Sequence, residues 1–272
     1  MTVVRVRQHY RYVYTAPVRD LRQQLIMVPP DRHADQVLRS WGFDVRGTTG
    51  ALAINWTTDR FGNRVCDVTA EHVPHAVDFE AVFTVERRAR CEPLEIASNP
   101  RFSEFTPLTA PNDAIREAAA AIESQTGSPE ARTELAHTWA AQSILYELGV
   151  TGTRTPAAMA LHLGRGVCQD FSHILLSVLR CMNIPCRYVS GHLLGEGAPH
   201  AWVEVLLSSG LVALDPTHHR RVGMDYVTVA VGRDFADVTM TSGVFTGAAT
   251  GRLHWSKQAE IVELDEAEHA AA

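Results

Sequence analysis

The segment Gly164-Arg165-Gly166-Val167-Cys168-Gln169-Asp170-Phe171-Ser172-His173 sets a cysteine behind a glycine-rich approach and ahead of an apolar helical run. The two glycines let the backbone turn sharply and leave room beside the sulfur. Ile174, Leu175, Val178, Leu179 and Met182 then form one apolar helical face until Asn183 and Pro185 stop it. Cys168 therefore begins a buried helix. A thiol attacks a carbonyl as thiolate, and the positive end of a helix dipole lowers its pKa from about 8.5. Taken alone, a cysteine at the start of a core helix is more often a packing residue than a nucleophile. Its surroundings decide.

Downstream the chain reads as strands at Arg187 to Leu194, Ala201 to Leu207 and Leu211 to Leu214, joined by Gly195-Glu196-Gly197 and Ser208-Ser209-Gly210. Of thirteen histidines, His200 opens the second strand and Asp215 follows the third. A hairpin brings them together. Direct opposition of His200 and Asp215 centres the turn between Leu207 and Ser208, so a tight turn at Ser209-Gly210 needs a bulge. In that arrangement His200 shares a proton with Cys168 through one ring nitrogen while Asp215 holds the other N–H. The Cys168 backbone N–H would meet an oxyanion, with a second donor left unidentified.

Upstream, the region from Val3 to about Cys91 alternates apolar and polar residues in the manner of strands, punctuated by Pro29-Pro30-Asp31, Gly47 to Gly50 and Phe61-Gly62-Asn63. After Pro100 the spacing turns helical. One helix is expected over Asn112 to Ser124, with Asn112 as N-cap. A second opens at Ser128-Pro129-Glu130 and runs to about Leu148, and a short third opens at Thr155-Pro156 and ends near Gly164. The acidic, alanine-rich end is read as a frayed tail.

The chain has 272 residues, 46% of them hydrophobic, which suffices for a large core or two smaller ones. A net charge of −6 offers no basic surface for nucleic acid or an anionic membrane. The first residues do not resemble a signal peptide, and no segment is long and apolar enough for a membrane helix. Five cysteines, an odd number in a large chain, argue against a disulfide scaffold and for a reducing, cytoplasmic setting.

The segment around Cys168, with Gly191, His200-Ala201-Trp202-Val203-Glu204 and Asp215-Pro216-Thr217, resembles the bacterial transglutaminase-like superfamily. The first hundred residues look like the N-terminal domain that accompanies this core in one bacterial subfamily. Residues Val231 to Val238 resemble its C-terminal signature. The resemblance implies an α+β fold: a β-rich module at 1–100, a papain-like catalytic core at 101–260, and a tail at 261–272. It also implies Cys168 as nucleophile, His200 as general base and acid, and Asp215 as the orienting partner. The expected reaction is cleavage or transfer at a peptide, isopeptide or related amide bond of a peptide or protein substrate, through a thioester on Cys168 and without a cofactor. The alternatives are a true transglutaminase and a binding module that keeps the fold without catalysis. His218-His219-Arg220 departs from the small polar residues more usual after this Asp-Pro-Thr.

Other residues carry blander readings. Cys181 and Cys186 lack a second pair and read as core thiols, and the spacing of His200, His218 and His219 with Cys168 matches no familiar zinc pattern, so no metal site is expected. No acidic run resembles a calcium loop. Asp170 reads as a cap, His173 as a core histidine, and Trp202 as packing on the His200 face. Tyr146 is a packing residue that would otherwise serve as the second oxyanion donor. Arg233 and Asp234 are expected to form a local ion pair.

Overall fold

A computed structural model describes residues 1–88 and 99–262. Cys91 and residues 263–272 of the expected tail lie outside the described residues, while Ile261 is paired in a strand. Period-two alternation builds the first module. In β1 (Thr2–Tyr14), Val4, Val6, Gln8 and Tyr10 turn inward while Arg5, Arg7 and Arg11 face solvent. β2 (Val18–Leu25), β3 (Arg32–His33), β4 (Gln36–Arg46), β5 (Thr49–Thr58), β6 (Arg64–Val73) and β7 (Ala76–Arg87) follow.

The helices come next: α1 (Asp113–Gln125), capped by Asn112, and α2 (Pro129–Ser143), capped by Ser128. α2 stops short of the expected Leu148 because Leu145 and Tyr146 form β8 (Leu145–Tyr146), parallel to β9 (Arg165–Gly166). Between these lies α3 (Ala157–Leu163), closed by Gly164 in the left-handed conformation at φ 65°. α4 (Cys168–Cys181) then runs through the core. It packs against β10 (Cys186–Leu193) and β11 (Pro199–Leu207), which continue through β12 (Gly210–Asp215) and β13 (Arg220–Arg221) to β14 (Tyr226–Gly232). These five strands form an antiparallel sheet in the order β13-β12-β11-β10-β14.

The last two strands return to the first module. β15 (Thr241–Thr246) pairs with β2, and β16 (Gly251–Ile261) pairs with β1 along eleven residues. The chain end thus completes both sheets of the first module, in the orders β16-β1-β7-β4-β3 and β15-β2-β6-β5. The reason is edge satisfaction: β1 and β2 would otherwise present unpaired N–H and C=O groups.

The two parts share a core, in which Val4, Val6, Phe83 and Val85 pack in one buried cluster with Ile174, Leu175, Val178 and Leu179. The outer edge of β14 is covered by side chains of the first module. Gln36 donates to the Thr228 carbonyl at 2.8 Å and accepts from its N–H at 2.9 Å. Asn63 does the same for Val231, at 2.7 and 2.8 Å, and Arg87 donates to the Tyr226 carbonyl. Two amides and a guanidinium thus stand in for a missing sixth strand.

Candidate active site

Cys168 opens α4 and is partly exposed. The approach is fixed by Asp170, whose Oδ2 accepts from the Val167 N–H at 2.8 Å and the Thr151 hydroxyl at 2.6 Å. Gly166 makes room for this, since a Cβ there would lie 2.6 Å from Asp170 Oδ2. Asp170 is therefore the cap expected. The Cys168 and Gln169 amides open the helix with no preceding turn to accept from them, while those of Asp170 and Phe171 donate to the Val167 carbonyl.

His200 and Asp215 meet by a register other than the expected one. The β11–β12 turn is Ser208-Ser209, with Leu207 opposite Gly210 and Val203 opposite Leu214, and no bulge intervenes. One step further, Asp215 lies across from Trp202, so His200 reaches it diagonally on the same sheet face. His200 Nε2 is 2.7 Å from Asp215 Oδ2. With Nε2 committed, Nδ1 is the nitrogen left for the Cys168 thiol. Burial opposes charge on this ring, but hydrogen bonds to Asp215 and Cys168 and their attraction overcome it and raise the His200 pKa to about 10.

Asp215 is fully buried and heavily satisfied. Oδ2 also accepts from His218 Nδ1 at 2.8 Å and from the Tyr226 hydroxyl at 2.6 Å, and Oδ1 accepts from the Thr217 and His218 amides. Burial alone would raise its pKa; the bonds from His200, Tyr226 and His218 outweigh that and hold the carboxyl well below the usual range. From α2, His137 Nε2 lies 3.0 Å from the Asp215 carbonyl.

Tyr226, His137 and Glu196 were not singled out from the sequence. Tyr226 reaches Asp215 only through the strand order, two strands removed from β12. His218 was noted as a departure, and its ring bonds the same Asp215 oxygen as His200. Trp202 is fully buried and stacks on His200 with ring centroids 6.3 Å apart. Gly191 accommodates that indole, because a Cβ there would meet its Cη2 at 2.5 Å and the Val227 carbonyl at 2.1 Å. Tyr146 is exposed, contrary to the packing reading, and lies near enough to Cys168 and Glu196 to feel their charge.

The other described cysteines differ in kind. Burial pushes the Cys66 thiol up to about 12 and Cys186 to about 11, and raises Cys181 as well. His173 is buried, with Nε2 accepting from the Phe235 N–H at 3.2 Å. Arg233 pairs with Asp237 at 2.8 Å instead of Asp234, whose carboxylate caps the Ala236 N–H.

A helix-borne cysteine over an antiparallel sheet carrying the histidine and aspartate defines an α+β, papain-like core. Residues 116–216 match the model of the transglutaminase-like superfamily, and residues 4–86 match that of the bacterial transglutaminase-like N-terminal region. The chain belongs to this superfamily. An uncharacterized protein of Mycobacterium leprae is 42% identical over 119 residues, covering 40% of this chain and 42% of the relative. One from Mycobacterium tuberculosis is 33% identical over 115 residues, covering 36% and 37%. The matches thus span about two-fifths of the curated relatives. The crystal structure of a candidate cysteine protease from Cytophaga hutchinsonii superposes with a TM-score of 0.77 at 19% identity, covering 97% of this chain and 92% of that one. That likeness establishes the fold. No helix among the described residues is long and apolar enough to cross a membrane.

Proposed function

We propose that this protein is a cysteine-dependent acyl-transfer enzyme acting on amide bonds of peptides or proteins, and that it releases the acyl group to water as a peptidase or amidase. The observation that carries this reading is the His200 ring fixed through Nε2 to Asp215 Oδ2 at 2.7 Å, with Cys168 near enough to help raise its pKa. The Cys168 thiolate attacks the carbonyl carbon, and the oxyanion is met by the Cys168 N–H. As the C–N bond breaks, His200 gives its proton to the leaving amine and a thioester remains. His200 then takes a proton from water, whose oxygen attacks the thioester; the C–S bond breaks, the acid departs, and the thiolate with its protonated His200 is restored. Asp215 keeps the ring oriented and stabilises the imidazolium. A reducing, cytoplasmic setting suits a partly exposed thiol that must stay reduced.

The test is to incubate the chain with a peptide library and seek a thioester on Cys168 by mass spectrometry, beside a Cys168→Ala control. A labelled amine added to glutamine peptides separates the outcomes: ammonia release with amine incorporation makes it a transglutaminase, and acid product alone makes it a hydrolase. If no acyl adduct forms, and a thiol probe reacts with Cys168 no faster in the folded than in the denatured protein, the binding-module reading replaces both.

A further inference from the structure

Glu196, in the loop between β10 and β11, faces both histidines that Asp215 holds. Its Oε2 is 3.5 Å from His200 Nδ1 and its Oε1 is 3.1 Å from His218 Nε2, and the three candidate donor atoms lie within 4.8 Å of one another. The other nitrogen of each ring, His200 Nε2 and His218 Nδ1, sits on Asp215 Oδ2 at 2.7 and 2.8 Å. The far nitrogens, His200 Nδ1 and His218 Nε2, are thereby left facing the Glu196 carboxylate. A proton on a ring nitrogen can bridge to the carboxylate, and a cation can take that proton's place.

The spacing suits a cation. A tetrahedral ion with bonds of about 2.0–2.1 Å to nitrogen and oxygen sets its ligand atoms about 3.3–3.4 Å apart, close to the two distances to Glu196. A carboxylate holding the far nitrogen of each ligating histidine is the arrangement that orients such rings on zinc. The site is also reachable, since His218 is 37% exposed and Glu196 35% by side chain, whereas His200 lies beneath them. Spacing along the sequence gave no hint of it, because Glu196 comes from a different loop. His219, weighed beside these residues, turns away toward Thr138 and His137.

We propose that Glu196, His200 and His218 bind a divalent transition-metal ion of the zinc type, and that the Cys168 thiolate, which lies outside this three-residue cluster in the structure, moves in as the fourth ligand. Occupancy takes the Nδ1 lone pair and the thiolate out of use. The site is thereby a reversible brake on the chemistry proposed above, and that consequence, though not the binding, rests on that reading.

The experiment titrates the full chain with Zn2+ against a metallochromic indicator and repeats it with Co2+, whose thiolate charge-transfer absorption reports the sulfur ligand. Saturable binding of one ion per chain is expected, with Cys168 shielded from alkylation by iodoacetamide. Glu196→Gln and His218→Ala should each weaken Zn2+ binding by roughly tenfold or more, and Cys168→Ser should abolish the charge-transfer band while Co2+ still binds. Unchanged affinity in both of the first two variants, or absence of saturable binding, overturns the site. Binding without the charge-transfer band or alkylation shielding overturns the thiolate ligand and the brake with it. None of these readouts requires turnover, so a chain that binds the ion but cleaves no amide leaves the site standing and removes only the proposed reaction. A chain that turns over but ignores Zn2+ does the reverse.

Discussion

At the residue scale, the distinguishing feature is how many donors Asp215 gathers. Its five hydrogen bonds include three to one oxygen, so its charge is secure and its position is over-determined. For the proposed reaction, Asp215→Asn should lower kcat by about 10²–10⁴, since the amide cannot hold the His200 N–H in the same way. Tyr226→Phe removes one charge-assisted bond worth about 1.5–3 kcal/mol. It should cut kcat/KM by about tenfold or more while His218 and the backbone amides still hold the aspartate. Steady-state kinetics on the same peptide check both, and a Tyr226→Phe enzyme indistinguishable from wild type would deny that the phenol positions the site. His200 also predicts a pH trend. Its folded pKa, about 10, lies above the unfolded value of about 6.5. Its contribution to stability is therefore complete below pH 6.5 and is lost as pH rises through 10. The stability difference between wild type and His200→Gln should shrink over that window, as denaturation at a series of pH values would reveal.

At the scale of elements, β14 ties the first module to the site. The strand carries Tyr226 on the sheet and offers its free edge to Gln36, Asn63 and Arg87. Each amide satisfies two buried backbone groups, and orphaning such a group costs about 1–3 kcal/mol. Asn63→Ala should therefore destabilise the chain by about 2–4 kcal/mol in urea denaturation. If the loss is within about 0.5 kcal/mol, the range of an ordinary surface change, water has replaced the amide and the edge-strand argument fails. Gly191→Ala should be worse placed to adapt, because its new carbon meets backbone at Val227 as well as the buried indole. We expect a cost of about 3 kcal/mol, read in the same assay.

For the whole molecule, the return of the chain end to the first module makes the two parts interdependent. Lys257 on β16 donates to the Leu193 and Ala198 carbonyls, both at 3.2 Å, and so steadies the loop that bears Glu196. A chain cut after Thr239 loses β15 and β16, leaving the β1 and β2 edges open. It should aggregate or lack a cooperative thermal transition, as calorimetry beside the full chain would reveal; a truncated chain that melts like the full one would show the two strands dispensable. Acid sensitivity is a second global property. Burial keeps His173 and His192 neutral, with pKa values lowered to about 3, and the charges of Arg180 and Lys257 act in the same direction. The unfolded chain binds more protons below about pH 6.5, so stability falls from there toward pH 3 by up to about 1.4 kcal/mol per pH unit for each ring. His192 has neither ring nitrogen hydrogen-bonded, so His192→Leu should remove its share of the slope. An unchanged slope in that variant would sink the assignment.

Local signals decided much of this protein. The alternation in β1, the caps at Asn112 and Ser128, and the glycine-rich entry to α4 are read from neighbours within a turn or a strand, and the structure repeats them. Cys168, His200 and Asp215 were legible for the same reason: each stands at an element boundary that its own segment announces. What sequence could not decide is what depends on strands meeting across the fold. The register of a hairpin rests on which turn closes it, and a two-residue shift moved Asp215 from facing His200 to lying diagonal to it. The pairing of β16 with β1 joins residues about 250 apart, and no local pattern names the partner. Tyr226 reaches Asp215 from β14, and Glu196 reaches His218 from the β10–β11 loop, so only tertiary structure could bring these side chains to one site.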